Sequence, residues 1–432
     1  MTAQAKGTGD EILDDLITRG LVHDHTDLDQ LRDRLREGPI TVYAGFDPSG
    51  DTLHVGNLVP LLLLRRFQLF GHRPIALAGG ATGMIGDPGG RSEERTLLDT
   101  ETLDRNVVAI KSQLERFLDF SGGPTQARLV DNRQWTEPIG VLDFLREVGK
   151  HVTVNQMLAK ESIRTRVDSD HGISYTEFSY MLLQANDYWW LHEQYDCELQ
   201  VGGSDQWGNI TAGVDLIRRK GAAPVHALTV PLVTRSDGKK FGKSTGADVW
   251  LAAERTSPYQ FFQYWMNVDD RDVERFLLQL TLLPVETVRS IMTEHVAAPE
   301  RRLGQRALAE AVTSLVHGAA AAVEADRASG DFTRPVEERS EDELAALVDE
   351  IPTTRVERSA LDGGYDLVQL LVDTGVASSK GDARRAIEQR GIYVNDTQAD
   401  GGERVTTSDL LHDRYVMLRR GKKRRHVIVV PR

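Results

Sequence analysis

A chain of 432 residues, 40% hydrophobic and 27% charged, can bury two or three cores and has the composition of an ordinary globular protein, not a disordered or fibrous one. Its single cysteine, Cys197, excludes an internal disulfide framework and a cysteine-based zinc site, and no apolar run is long enough to cross a bilayer. The net charge of −13 speaks against a nucleic-acid partner only until it is divided: Tyr365 to Arg432 holds 13 Lys+Arg against 9 Asp+Glu, and six of those basic residues lie between Arg419 and Arg425.

Met1 to Asp10 is polar and has no apolar segment of the kind that opens a secretory signal, so the cytoplasm is the expected compartment. Residues 10 to 37 carry helical periodicity in Ile12, Leu13, Leu16 and Ile17, then Leu28, Leu31 and Leu35. Thr41 to Phe46 is β-prone and stops at Asp47-Pro48, because proline forces its predecessor out of the helical region. Leu58 to Phe70 is apolar with two arginines and predicts a buried helix closed by Gly71. His54-Val-Gly-Asn57 therefore sits where a strand passes into a helix, a place whose unpartnered N–H groups favour an anion. Gly56 lets a ligand approach the backbone there, and His54 offers an imidazole N–H. The same four residues also suit a plain turn with a satisfied histidine.

A second strand, Arg73 to Ala78, runs into the glycine-dense stretch from Gly79 to Gly90, a composition costly in entropy unless the backbone must pass close to something. An amphipathic helix follows at Val107 to Phe120, then a short strand at Ala127 to Asp131. Alternating helices and short apolar strands indicate a parallel sheet with crossovers, whose ligands bind beyond the carboxyl ends of the strands. Within Ile173 to Asp187, Tyr180, Gln184 and Asp187 line one face of a helix that is otherwise apolar nearly all round. Buried polar groups need partners, and either an internal network or a polar ligand would supply them. Leu199 to Asn209 repeats strand, glycines and helix start; Asp205 there caps the helix or accepts from a ribose hydroxyl. Lys239 to Ser244 gathers ammonium groups in a glycine-containing loop, which is either a solvated face or a second phosphate site. Ser257-Pro258 opens a helix as N-cap and first residue.

His54-Val-Gly-Asn57 and Lys240-Phe-Gly-Lys-Ser244 resemble the HIGH and KMSKS signatures of class I aminoacyl-tRNA synthetases, and the residues between them resemble the bacterial tyrosyl enzymes over essentially the whole chain. Asn57 replaces the second histidine of the first signature, and Phe241-Gly242 replaces Met-Ser in the second. The resemblance implies an α/β fold: a Rossmann-type catalytic domain at 1–250, an α-helical anticodon-side domain at 251–350 and a small α+β RNA-binding domain at 365–432, and Pro352 with Gly363-Gly364 makes 351–364 the expected linker between the last two. It also implies activation of tyrosine by ATP, carried with Mg²⁺ as a substrate complex and without a tightly bound protein metal, then transfer to tRNA(Tyr) by a homodimer.

Carried over residue by residue, His54, Lys240, Lys243 and Ser244 form the catalytic set. Tyr43 and Asp187 hold the phenol hydroxyl, and Tyr180, Gln184 and Asp87, with Gln206, take the rest of the amino acid and its ammonium. Gly45, Asp47, Ser49, His54, Gly56, Asn57, Gly203, Asp205 and Lys243 line the ATP site, with Asp205 on the ribose. Lys380, Arg384 and Arg385, in a segment that includes Gly391 to Asn395, and Lys422 and Lys423 beyond it, contact RNA. Two other readings of the chain are a synthetase for tryptophan, which shares the architecture, and a non-catalytic RNA-binding protein that kept the fold. Asp187 paired with Tyr43 opposes the first, since an indole has a single donor to place; intact His54, Lys240 and Lys243 oppose the second.

Overall fold

The computed structural model describes residues 10–88, 98–167, 172–234, 236, 243–244, 247–331, 335–400, 402–421 and 424–431. Lys240, Phe241, Gly242, Lys422, Lys423 and the end of the glycine stretch at 89–90 lie outside the described residues, as do the side chains of Lys243 and Ser244. The chain divides into two compact units, one of residues 1–256 and 265–316, the other of 257–264 and 317–432.

The first unit is organised on five parallel strands: β1 (Thr41–Phe46), β2 (Arg73–Ala78), β3 (Arg128–Asp131), β4 (Cys197–Gly203) and β5 (His226–Val230). Their order across the sheet is β3-β2-β1-β4-β5, so chain direction across the sheet reverses between β1 and β4, and the expected Rossmann-type topology is present. Tyr43 pairs with Ile75 on one side and Gln200 on the other. Helix Leu58–Leu69 covers the sheet with Leu58, Leu61, Leu62, Leu63, Leu64 and Phe67 all buried. Helix Tyr175–Tyr195 starts at the Ser174 cap, whose side chain accepts from Glu177 N at 3.3 Å, and ends at Asp196 in the left-handed region.

One predicted helix is displaced. The stretch expected at Val107 to Phe120 forms Thr100–Leu114, because Asp99 accepts from Thr102 N at 2.9 Å and starts the helix seven residues earlier than its apolar repeat suggests.

The helical stretch 251–350 is divided between the two units, with Trp265–Val316 packed in the first. Arg66, buried on the Leu58–Leu69 helix, donates to Thr281 O and to Leu278 O (3.1 Å), and Arg19 donates to Leu278 O (3.1 Å) and Leu283 O (2.8 Å). Two guanidinium groups thus satisfy carbonyls at the end of helix Asp270–Leu280, with Asp15 2.8 Å from Arg19 and 3.5 Å from Arg66. Burial lowers the Arg66 pKa to about 9.

The second unit contains a five-stranded sheet in the order Thr397–Gln398, Ile392–Val394, Tyr415–Arg420, Arg424–Val429, Thr353–Arg355. Residues 351–364, expected as a linker, are built into this unit. Thr353–Arg355 pairs in parallel with Val427–Val429, while Val356 and Leu361 are buried in its core. Pro352 and the Gly363-Gly364 pair suggested a connector, but here they flank ordered structure; Gly364 has φ +73 and its carbonyl accepts from Arg404 Nε at 2.9 Å.

Candidate active site

The carboxyl ends of β1 and β4 and the face of helix Tyr175–Tyr195 bring most of the expected residues together. Asp47, one residue past β1, is the hub of the first cluster: Tyr180 Oη donates to its Oδ2 at 2.8 Å and Thr82 Oγ1 to its Oδ1 at 2.8 Å. The glycine density after β2 has its reason here, since a Cβ on Gly79 would lie 2.2 Å from Asp47 Oδ1 and 2.5 Å from Thr82 Oγ1.

Asp187 is 2% exposed and receives two donors, Asn132 Nδ2 at 2.9 Å and Trp135 Nε1 at 2.7 Å. Burial raises its pKa to about 7; those two hydrogen bonds oppose the rise, and Asp47 and Asp131 add to it. Tyr43 is also buried, its ring 5.3 Å from that of Tyr188, and its hydroxyl has no hydrogen-bond partner among the described residues. Burial first, then the Asp187 charge, pushes the Tyr43 phenol well above its ordinary value. Gln200, beside Tyr43 in register, likewise has a buried Oε1 without a described partner. Buried polar atoms left open in this way call for a partner, which a polar ligand can supply. Gln184 shares the Tyr180 and Asp187 face and is half-buried.

A second cluster gathers at the start of the helix after β4. Gln206 Nε2 donates to Asp87 Oδ2 at 2.6 Å, and Asn209 Nδ2 donates to Gln206 Oε1 at 2.9 Å. Asp205 opens onto solvent at the mouth, and partial desolvation followed by the nearby Asp87 charge raises its pKa. A Cβ on Gly203 would lie 2.7 Å from Asp205 Oδ1, which explains the glycine at the end of β4. Ser49 and Gly45 are exposed at the carboxyl end of β1, the strand that pairs with β4.

The His54 to Asn57 turn departs from expectation in one respect. Its first N–H groups are not open to an anion: Val55 N donates to Val249 O (3.0 Å), Gly56 N to His54 Nδ1 (2.9 Å) and Asn57 N to His54 O (2.9 Å). The short Val55–Asn57 turn consumes donors that a helix starting at once would have left free. What remains for an anion is the exposed imidazole: with Nδ1 accepting, the proton of a neutral ring resides on Nε2. Asn57 closes a capping box by accepting from His54 N at 3.1 Å through Oδ1, leaving its Nδ2 as the donating end. Lys243 and Ser244 form a two-residue strand against Ala247–Asp248.

The residues that sequence reasoning missed are Asn132, Trp135, Thr82, Gln200 and Asn209. Asn132 has one available signal: it follows the carboxyl end of β3, where ligands and their supports gather in such sheets. It joins the clusters, accepting from Ala81 N at 2.7 Å and donating to Thr82 Oγ1 at 3.0 Å besides Asp187.

In the second unit, Lys380, Arg384 and Arg385 are exposed on helix Lys380–Glu388. Asp382 of the same helix receives Arg420 at 2.7 and 2.8 Å, and those bonds hold its carboxyl well below the usual range. Arg419 lies over the Tyr393 ring, 3.6 Å from its centroid.

Residues 35–333 match the family described as tRNA synthetases class I (W and Y), and residues 343–428 match the tyrosine–tRNA ligase SYY-like C-terminal domain. The chain is 54% identical to a tyrosine–tRNA ligase of Opitutus terrae over 97% of its own length and 99% of the relative. It is 50% identical to that of Mycobacterium tuberculosis, over 95% of this chain and 97% of the other. Among solved structures it is similar to a C-terminally truncated mitochondrial tyrosyl-tRNA synthetase of Aspergillus nidulans, with TM-score 0.68 and 29% identity over 74% of this chain and 94% of that one.

Proposed function

The chain belongs to the bacterial tyrosyl-tRNA synthetases of class I, and from that premise we propose how its residues divide the work of a tyrosine–tRNA ligase. The reaction joins tyrosine to ATP with loss of pyrophosphate, then transfers tyrosine from the adenylate to the 3′ end of tRNA(Tyr). The observation that carries our assignment is the buried pair of Tyr43 and Asp187, an open phenol hydroxyl beside a carboxylate with a pKa near the physiological range. A substrate phenol donates to Asp187 and accepts from Tyr43. Its ammonium goes to Asp87, Tyr180 and Gln184, with Gln206 steadying Asp87.

In the first step the tyrosine carboxylate oxygen attacks the α-phosphorus of ATP, and the bond to the β-phosphate oxygen breaks. The nucleophile is already ionised, so the site needs no general base. Its task is positioning and stabilisation of charge on the transferring phosphorus and the leaving pyrophosphate. His54 donates from Nε2 and Asn57 from Nδ2, Ser49 offers a hydroxyl, and Asp205 accepts from the ribose. Asp47 orients Tyr180 and Thr82 from within the mouth. For Lys240, Lys243 and Ser244 the support is the motif match. ATP enters with Mg²⁺ as its substrate complex.

Activation belongs to the unit that holds the parallel sheet, and RNA recognition to residues 365–432, with Lys380, Arg384, Arg385, Lys422 and Lys423 on phosphates. The setting is the cytoplasm; among the described residues no helix is long and apolar enough to cross a membrane. The functional species is a homodimer. Supporting that, helix Val141–Glu147 exposes Val141 (76%), Leu142 (75%) and Leu145 (44%), with Val154 (58%) close along the chain. Sedimentation should find a dimer, and Leu142→Asp should give monomers; a monomeric wild type removes this part of the reading.

The assignment of substrate is tested by amino-acid-dependent exchange of pyrophosphate into ATP, run with each of the twenty amino acids. Tyrosine alone should support it. Exchange driven by tryptophan instead would overturn the reading of Tyr43 and Asp187.

A further inference from the structure

Lys160 follows helix Val154–Ala159, and its side chain reaches towards the second cluster instead of solvent. Its Nζ donates to Asn209 Oδ1 at 2.5 Å. Asn209 is fully buried and passes the contact on, donating to Gln206 Oε1 at 2.9 Å, while Gln206 donates to Asp87 Oδ2 at 2.6 Å. One chain of hydrogen bonds therefore runs from an ammonium group to the carboxylate assigned to the substrate ammonium. The route of the lysine stem is also built into the backbone. A Cβ on Gly208 would lie 3.0 Å from Lys160 Cγ and 3.1 Å from Cδ and Cε, so the bare glycine is the groove in which the stem rests.

The charges fit the same arrangement. Lys160 faces Asp87 and Asp205; Asp205 faces Asp87 and Lys160; Tyr180, on the helix opposite, faces Asp47, Asp87 and Asp187. Two carboxylates alone would repel, and one lysine offsets part of that repulsion. The trio of Asp87, Asp205 and Lys160 keeps one net negative charge, which a single incoming ammonium neutralises.

We propose that Lys160 is a positioning residue for amino-acid activation: through Asn209 and Gln206 it aims Asp87 at the ammonium of the amino acid, and its charge holds Asp87 and Asp205 together in one pocket. This rests on the assignment of Asp87 to the ammonium and Asp205 to the ribose. The proposal concerns ligand geometry, so it separates from a purely structural role by the balance of kinetic constants.

The test uses the full-length protein and steady-state pyrophosphate exchange. Lys160→Met keeps the stem and removes the charge. It should raise KM for tyrosine about tenfold, the equivalent of one pKa unit of lost interaction, with a smaller change in kcat. At saturating tyrosine, the acid limb of kcat/KM for ATP should move to higher pH, because Asp205 then loses the Lys160 charge that lowers its pKa. Lys160→Arg should restore the position of that limb, and Gly208→Ala, which crowds the stem and leaves the charge, should raise KM for tyrosine without moving it. Asp87→Asn is run in parallel. If it leaves KM for tyrosine unchanged, the assignment of Asp87 fails, and this inference with it. If Asp87→Asn raises KM while Lys160→Met only lowers the melting temperature, or only weakens tRNA charging, Lys160 has no part in positioning.

Discussion

Asp187→Ala should lower kcat/KM for tyrosine in pyrophosphate exchange by about 10²–10⁴-fold. A hydrogen bond to a charged group contributes about 1.5–3 kcal/mol, and a buried hydroxyl left without its partner costs about 1–3 kcal/mol more, which together span that range. The alanine also strands two donors, Asn132 Nδ2 and Trp135 Nε1, so part of its effect is on stability. Asp187→Asn separates the two: it keeps the shape and one acceptor oxygen while removing the charge. If asparagine activates tyrosine as well as aspartate does, the phenol is not read by this residue.

The pH dependence gives that experiment a second readout. In the folded protein the Asp187 carboxyl is raised to about 7, against about 3.9 for a solvated aspartate. Below the unfolded value both states hold the proton, and the contribution to stability is fully present. Between the two values only the folded state keeps the proton, so stability falls as pH rises towards 7 and is lost beyond it. Asp187→Asn has no such proton, and its melting temperature relative to wild type should therefore increase from pH 5 to pH 8. Activity runs the other way. The ionised carboxylate is the better acceptor for a phenol, so wild-type kcat/KM for tyrosine should climb through about pH 7 and level off above it. A wild-type profile flat from pH 5 to 8, together with a constant difference in melting temperature, would mean that Asp187 stays ionised throughout. The site thus carries a carboxylate that weakens the empty protein at neutral pH, a burden expected where a buried group exists for a ligand.

What was legible in the chain follows from the range of the forces involved. Strands β1, β2 and β4 announce themselves because each ends in glycine or proline at a carboxyl edge where a ligand or a side chain must come close, as Gly79 must for Asp47. Tyr180, Gln184 and Asp187 were legible as polar residues on a helix otherwise apolar nearly all round. Asn132 and Trp135 are not: beyond its place after the carboxyl end of β3, Asn132 carries no local pattern, Trp135 carries none, and the importance of both lies in a partner more than 50 positions away. Lys160 was invisible for the same reason, being tied to Asn209 across 49 positions. The segment 353–355 looked like a connector because its stability comes from pairing with 427–429, at the far end of the chain. Local punctuation by Pro352 and Gly363-Gly364 carries no information about that pairing. The start of helix Thr100–Leu114 is not legible in the apolar repeat, because periodicity marks the face that packs, whereas the cap at Asp99 sets where the helix begins.

That integration of 353–355 into the sheet decides how RNA binding should be tested. Cutting the chain near Leu361 would leave Thr353–Arg355 without its partner strand and Val356 without its core, so loss of tRNA charging would follow from misfolding as readily as from lost contacts. Removing surface charge is the cleaner experiment. The side chains of Lys380, Arg384 and Arg385 stand exposed on one helix and make no hydrogen bond or ion pair among the described residues. The helix is held by different groups: Asp382 to Arg420 at 2.7 Å, and the Ser379 cap to Asp382 N at 3.2 Å. Replacing the three cations by alanine therefore spares what docks the helix. Each phosphate contact contributes roughly 0.7–0.9 to the slope of log affinity against log salt, so three contacts make up a slope of about 2–3 and a loss of affinity of roughly 20- to 40-fold between 50 and 200 mM salt. The triple variant should bind tRNA more weakly at 50 mM salt and with a slope shallower by that amount. Tyrosine-dependent pyrophosphate exchange should stay at the wild-type rate, because activation uses no phosphate contact on this helix. Unchanged affinity and slope would move the RNA contacts off the Lys380–Glu388 helix and leave its cations as a solubilising face. A fall in exchange would contradict the separation of activation from RNA recognition.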